Sequence, residues 1–158
     1  MYDYPEQYQF SGTIQKGQIH VFMILRRKKN MRVLNIEDTP IKHNDIRKAL
    51  EECSVTDVDC ARNLADGVAM YKEAAATDKP YDLIITDMWY PPEQGMDEDR
   101  CGDKLVNMAL EEKWDVQVIV CSNQNYSYPG ILGCLYYSEN EDWEGALRRY
   151  IDKMRKKK

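Results

Sequence analysis

Four residues of this chain have types and positions suited to chemistry at phosphorus: the adjacent acids Glu37 and Asp38, the acid Asp87, and the hydroxyl of Ser122. Each follows a short apolar run, VLNI before Glu37, LIIT before Asp87 and VIVC before Ser122. Carboxylates brought together repel one another unless a cation neutralises them, and an all-oxygen set suits a hard ion such as Mg²⁺, which keeps several of its waters. With that charge screened, one carboxylate can act as a nucleophile toward phosphorus and form an aspartyl-phosphate. A neighbouring hydroxyl such as that of Ser122 can then donate to a phosphoryl oxygen. Taken singly, the same acids are equally at home as helix-capping or loop residues; their joint placement at the ends of apolar runs points to a site.

The pocket exists only if the chain folds so that these ends meet. Met31 to Ile36 predicts a strand, and Thr39-Pro40 then supplies a helix cap and a first-turn proline. Ile46, Ala49, Leu50 and Cys53 form one face of that helix. Val55 to Cys60 reads as a weaker strand. Asn63 caps a second helix with Leu64, Val68, Met70, Tyr71 and Ala75, and Lys79-Pro80 ends it ahead of a buried strand, Tyr81 to Thr86. A third helix starts near Gly102, Val116 to Cys121 is another buried strand, and Gly133 to Tyr136 is a short one. Trp143, Ala146, Leu147, Tyr150, Ile151 and Met154 give the stripe of a last helix. Strands alternating with helices predict an α/β fold, a doubly wound five-stranded parallel sheet. In the flavodoxin-like order 2-1-3-4-5, the strands ending at Ile36 and Thr86 are neighbours. Ligands in such sheets gather outside the carboxyl ends of the strands, where the three acids and Ser122 lie.

Composition narrows the setting. The chain has 158 residues, of which 43% are hydrophobic, enough for one domain with a sizeable core. A formal net charge of −5 disfavours nucleic acid as a partner. The five cysteines form no CxxC pair and only His20 and His43 could assist them, so no zinc site is expected and a reduced, cytoplasmic location is. Cys121 and Cys134 lie in apolar runs and are expected as core residues. The run Val21 to Leu25 is far short of the roughly 20 residues of a membrane span, so no membrane is expected as a partner. Residues 1–30 set Lys16, Arg26, Arg27, Lys28 and Lys29 against only Asp3 and Glu6, unlike the acidic remainder. They are expected to be a flexible N-terminal extension, with the domain occupying residues 31–158.

The segments VLNIEDTP (33–40), YDLIITDMWYP (81–91) and VQVIVCS (116–122) resemble the signature strands of the bacterial response-regulator receiver (CheY-like) domain family. The resemblance covers roughly residues 31–155. It implies that Glu37 and Asp38 hold Mg²⁺ together with Asp87 and the backbone carbonyl of Trp89, that Asp87 is the phosphoacceptor, and that Ser122 is the switch hydroxyl. Pro91 matches the proline that follows the phosphoacceptor loop. The phosphoryl group would come from a histidine kinase or a small phosphodonor in a two-component phosphorelay, and output would be through binding an unidentified downstream protein.

The sequence departs from the family pattern in several places. The lysine that receivers carry after the fifth strand falls at Tyr137 or Ser138, and no Lys or Arg occurs between Lys113 and Arg148. Arg100 or Lys104 could replace it only by swinging in from the neighbouring loop, which is not expected. About fourteen residues separate Ser122 from Tyr137, with turn-forming SNQNYSYPG and no helical period, so the fourth helix is expected to be shortened or missing. The loop PPEQGMDEDRCG (91–102) is enlarged, and its Asp97, Glu98 and Asp99 are expected to be solvated, with an extension of the metal site as the alternative. Cys134 stands at the family's aromatic switch position. Tyr126, Tyr128, Tyr136, Tyr137 and Trp143 are expected to pack over the shortened segment, with a partner-binding patch as the alternative.

The expected function is a stand-alone receiver-like signalling module that is no enzyme beyond its own phosphorylation. The alternative is a pseudo-receiver, an interaction module that phosphorylation does not control. A Mg²⁺-dependent phosphohydrolase or nuclease is disfavoured, because the DxD patterns such domains need are replaced by Glu37-Asp38-Thr39 and Asp87-Met88-Trp89.

Overall fold

Alternating runs of branched apolar residues can be buried on both faces only if helices cover both sides of the sheet, and this arrangement is the one observed. The structure, a computed structural model, describes residues 9–15, 18–24 and 30–157. It divides into two compact units, Met1–Asn30 and Met31–Lys158. In the first, β1 (Gln9–Gln15) pairs antiparallel with β2 (Gln18–Ile24), from Gln9 opposite Ile24 to Gln15 opposite Gln18. The sequence reading assigned no strands there. The expected flexibility of the remaining N-terminal residues lies outside the described ones.

The second unit runs β3 (Arg32–Ile36), α1 (Pro40–Glu52), β4 (Asp57–Ala61), α2 (Leu64–Ala75), β5 (Leu83–Thr86), α3 (Cys101–Glu111), β6 (Gln117–Ser122), β7 (Gly133–Tyr136) and α4 (Trp143–Lys156). Its five strands are all parallel in the order β4-β3-β5-β6-β7, the flavodoxin-like 2-1-3-4-5 order. Period-two alternation sorts the strand residues between two cores. Val33, Leu83, Ile85, Ile119, Cys121 and Leu135 pack with Ile46 and Leu50 of α1 and with Leu147 and Ile151 of α4. Leu34, Ile36, Ile84, Val118 and Val120 face Tyr71 and Ala74 of α2 and Leu105 and Val106 of α3. Each fully buried Leu or Ile contributes about 1.5–3 kcal/mol relative to an exposed one, so the faces are strongly specified.

Register brings the strand exits together. Ile36 pairs with Thr86, and Thr86 with Val120, so Glu37 and Asp87 leave the sheet side by side. Asp87 N–H donates to the carbonyl of Ile36 at 3.0 Å, extending that pairing by one residue.

The start of β4 differs from expectation for a physical reason, whereas the missing helix between β6 and β7 agrees with it. Val55 is buried but precedes β4, because it closes α1 rather than opening the strand. Ser54 takes a left-handed φ of 59°, its N–H donates to Glu51 O, and Val55 N–H donates to Leu50 O. Those two bonds satisfy the last carbonyls of the helix in a Schellman motif. Between β6 and β7 the chain forms no helix, and residues 123–132 are bends, turns and extended chain. That connection leaves four helices among the described residues, where the sheet order alone would allow five. Among the described residues no helix is long and apolar enough to cross a membrane.

Candidate functional site

The site lies beyond the carboxyl ends of β3 and β5, and three local devices build it. The first fixes Glu37, which is 1% exposed. Its N–H donates to Ala61 O on β4 at 2.9 Å, and its Oε1 accepts from Thr39 N–H at 3.0 Å. Thr39 occupies the cap position of α1, yet its own side chain makes no capping bond, and Glu37 holds the amide of the cap residue itself rather than one inside the helix.

The second device fixes Asp87. Its Oδ1 accepts from Met88 N–H at 2.7 Å, and the chain then turns through Met88, Trp89 and Tyr90. The turn is clamped from behind, because Gly102 N–H donates to Met88 O at 3.0 Å and a Cβ at Gly102 would lie 2.1 Å from Asp87 O. Glycine is required there by the close approach of α3 to the Asp87 backbone. Tyr90 is fully buried, with its hydroxyl 2.9 Å from Thr86 Oγ1.

The third device fixes the enlarged loop. Tyr90 and Asp99 exchange two backbone hydrogen bonds, of 3.2 and 3.1 Å, which close its base. The carbonyls of Pro91 and Pro92 accept from Leu64 N–H and Ala65 N–H, both at 3.0 Å, so the loop satisfies amides at the start of α2 that the helix itself leaves unpaired. Asn63 completes that cap by accepting from Asp66 N–H at 2.8 Å, as expected from the sequence.

One oxygen from each of Glu37, Asp38 and Asp87 falls within 4.8 Å of the others, the convergence expected of them. An open cleft is lined by Asp38, Thr39, Ile41, Lys42, Asp87, Trp89, Glu98, Asn123, Gln124 and Tyr137. Ser122 is adjacent rather than in the lining. It is buried at the end of β6, and its Oγ accepts from Gln124 N–H at 3.4 Å. Trp89 borders the cleft and is 39% exposed. Of the loop acids, Glu98 is drawn to the cleft: slight burial and then the carboxylates of Asp38 and Asp87 raise its carboxyl above the ordinary value. The expectation of simple solvation therefore misses its electrostatic link to the site.

Sequence reasoning missed Lys42. Its side chain is 9% exposed, and its Nζ lies 2.9 Å from Glu37 Oε2 and 2.8 Å from Asp87 Oδ1. Glu37 Oε2, though ion-paired, is buried without a hydrogen bond. Burial pushes the Glu37 carboxyl up, Lys42 opposes that, and Asp87 reinforces it. Burial by itself would lower Lys42, but Glu37, then Cys121 and Asp87, hold its ammonium above the usual lysine value. The signal was present in the helix phase, since residue 42 stands four positions ahead of Ile46 on the buried stripe of α1. Tyr137, at the position after the last strand, has its ring centroid 5.5 Å from Lys42 Nζ and donates its hydroxyl to Asp45 Oδ2 of α1 at 2.7 Å. Arg100 and Lys104 are engaged elsewhere, Arg100 with Tyr128 and the Trp89 and Tyr126 rings, Lys104 with Asp99. Cys121 is buried beside the site, and burial pushes its thiol up to about 12, so it is a core residue as expected.

The donor set fits a divalent ion: it is all oxygen, convergent and open to the cleft. Lys42 neutralises part of the same charge.

No protein-family model matches the chain, and no curated protein matches it by sequence. Solved structures do. The response regulator TrrA of Thermotoga maritima, in complex with Mg²⁺-BeF, aligns with a TM-score of 0.55 at 20% identity, covering 78% of this chain and 98% of that one. The signal receiver domain of a putative LuxO repressor protein from Vibrio parahaemolyticus aligns with a TM-score of 0.58 at 14% identity, covering 81% and 95%. A response regulator receiver domain protein from Clostridium thermocellum gives 0.53 at 20% identity, covering 80% and 97%. The fold of this chain is the CheY-like receiver fold.

Proposed function

We propose that this chain is a receiver-like signalling module in which Asp87 accepts a phosphoryl group, with output through binding of another protein. The observation that carries the reading is the convergence of Glu37, Asp38 and Asp87 within 4.8 Å at the exits of paired strands. Lone capping acids would have no reason to share one cleft. In the step itself, an Asp87 carboxylate oxygen forms a bond to phosphorus while the bond from phosphorus to the donor breaks, the donor leaving with that electron pair. The donor is a phosphohistidine of a kinase or a small acyl phosphate. Oδ1 is engaged by Met88 N–H and Lys42, which favours attack through Oδ2.

Glu37, Asp38 and Asp87, with the Trp89 carbonyl, would hold Mg²⁺. The ion, when bound, supplies positive charge that screens the carboxylates and the incoming phosphoryl oxygens. Ser122, at the end of β6, would donate its hydroxyl to a phosphoryl oxygen while its Oγ goes on accepting from Gln124 N–H.

Intact mass after incubation with acetyl phosphate tests the reading. The expected result is one added phosphoryl group on the wild type with Mg²⁺, little without it, and none on Asp87→Asn. An unmodified wild type, or equal labelling of Asp87→Asn, would sink it. A second reading has a specific observation behind it: Lys42 already neutralises Glu37 and Asp87, as a pseudo-receiver that dispensed with phosphate would need. Mg²⁺ binding without any response to beryllofluoride would favour that module instead.

A further inference from the structure

Lys42 changes what the missing lysine after the last strand means. Among the described residues it is the cation that is ion-paired to Glu37 and to Asp87. It arrives from the first turn of α1 rather than from the end of β7. At the end of β7, Tyr137 turns its ring toward that ammonium and ties its hydroxyl to Asp45, one turn further along α1. The helix thus supplies both the cation and the anchor for the residue standing where the cation is expected.

We propose that Lys42 is the positioning cation of this site: it holds Glu37 and Asp87 in the unmodified chain and pairs with the phosphoryl oxygens once Asp87 is modified. The proposal rests on the reading of Asp87 as phosphoacceptor and deepens it by naming the group that responds.

The argument is one of charge and reach. Three carboxylates facing one ammonium leave a site that is still anionic, so a divalent ion can bind but meets a resident positive charge. Forming the acyl phosphate replaces the carboxylate charge of Asp87 with a more negative group carrying three acceptor oxygens. An ammonium on a four-carbon stem, with three donors, can follow that charge by a rotamer change. Because Nζ already touches Asp87 Oδ1, it need travel only the short distance from the carboxylate to the phosphoryl group. Arg100 and Lys104, held by exposed partners, have no comparable starting position. A lysine whose role was only to neutralise buried acids would oppose the metal without favouring the phosphoryl group. The exchange proposed here requires opposite effects on the two.

Titrations of wild type, Lys42→Met, Lys42→Arg and Asp87→Asn with Mg²⁺, and with beryllofluoride at saturating Mg²⁺, followed by calorimetry, test this. Removing the ammonium is expected to tighten Mg²⁺ several-fold while weakening beryllofluoride roughly tenfold or more. Acyl-phosphate yield should fall in parallel, and Lys42→Arg should recover most of the beryllofluoride affinity. Circular dichroism checks each fold, with Lys42→Gln as the substitute if the methionine variant does not fold. Beryllofluoride binding equal to wild type in the uncharged variant overturns the proposal while leaving Asp87 as phosphoacceptor. Loss of Mg²⁺ and beryllofluoride together overturns it too, in favour of a structural ion pair. A wild type that binds Mg²⁺ but takes neither beryllofluoride nor a phosphoryl group overturns both readings.

Discussion

His43 sits one residue beyond the site's lysine and shows how finely the first turns of α1 are tuned. Its Nδ1 lies 2.7 Å from Asn35 Oδ1, while Asn35 Nδ2 donates to Ile85 O at 3.0 Å, so the amide oxygen is the acceptor and Nδ1 carries the proton. Partial burial, then Arg47 and Arg62, lower the imidazole below its ordinary value. The folded chain therefore takes up this proton at lower pH than the unfolded chain, whose histidine titrates near 6.5. As pH falls through about 6.5 the unfolded state binds more protons, so stability falls, and it recovers as pH rises. Thermal melts between pH 5 and 7 are expected to show a smaller pH dependence for His43→Gln than for the wild type; identical slopes would rule this account out. Legibility differs among the residues nearby. Glu37, Asp38 and Asp87 could be read because each ends an apolar run, a one-dimensional signal. Lys42 could not be found by type, because its meaning depends on helix phase: the stripe through Ile46, Ala49 and Leu50 runs back to it. Glu98 was legible only as one of three loop acids that could extend the site, since the course of the loop is set by the Tyr90–Asp99 pairing across eight intervening residues.

At the scale of elements, strand identity followed from burial on both faces, and boundaries failed where a helix end competed with a strand start. The turn after α1 is the clearest case. Ser54 holds a left-handed φ of 59° that glycine adopts at no steric cost. Ser54→Gly is expected to stabilise the chain by up to about 1 kcal/mol, the left-handed penalty less the added freedom of the unfolded chain. Urea denaturation would measure it, and a destabilised variant would mean that the serine side chain contributes more than its backbone costs. The absence of a helix between β6 and β7 was legible from the turn-forming composition of that stretch. The pairing of β1 with β2 was not, because β1 carries glutamine at both ends, β2 begins with one, and no run of turn residues bounds them.

For the whole molecule, the separation into units at residue 30 leads to a third expectation. A chain of residues 31–158 contains both hydrophobic cores and every residue assigned to the site. It is expected to melt cooperatively and to take up Mg²⁺ as the full chain does; a large fall in melting temperature or in affinity on truncation would give residues 1–30 a part in the fold or the site. The topology was legible because strand exits, helix stripes and two-faced burial all require the same winding. What was hidden, the cation and the course of the rim loop, depends on contacts between segments far apart in sequence.

The two proline carbonyls that close the start of α2 tie a structural joint to a chemical one. Leu64 and Ala65 keep their hydrogen bonds only while the loop from Pro91 to Asp99 stays in place, and that loop carries Glu98 to the cleft. Free-energy coupling is reciprocal, so whatever loosens the loop frays the helix, and whatever grips the helix steadies the loop by the same amount. A molecule seated on the first turn of α2 would then be felt at the acid site without touching it, by way of two hydrogen bonds acting as a hinge pin.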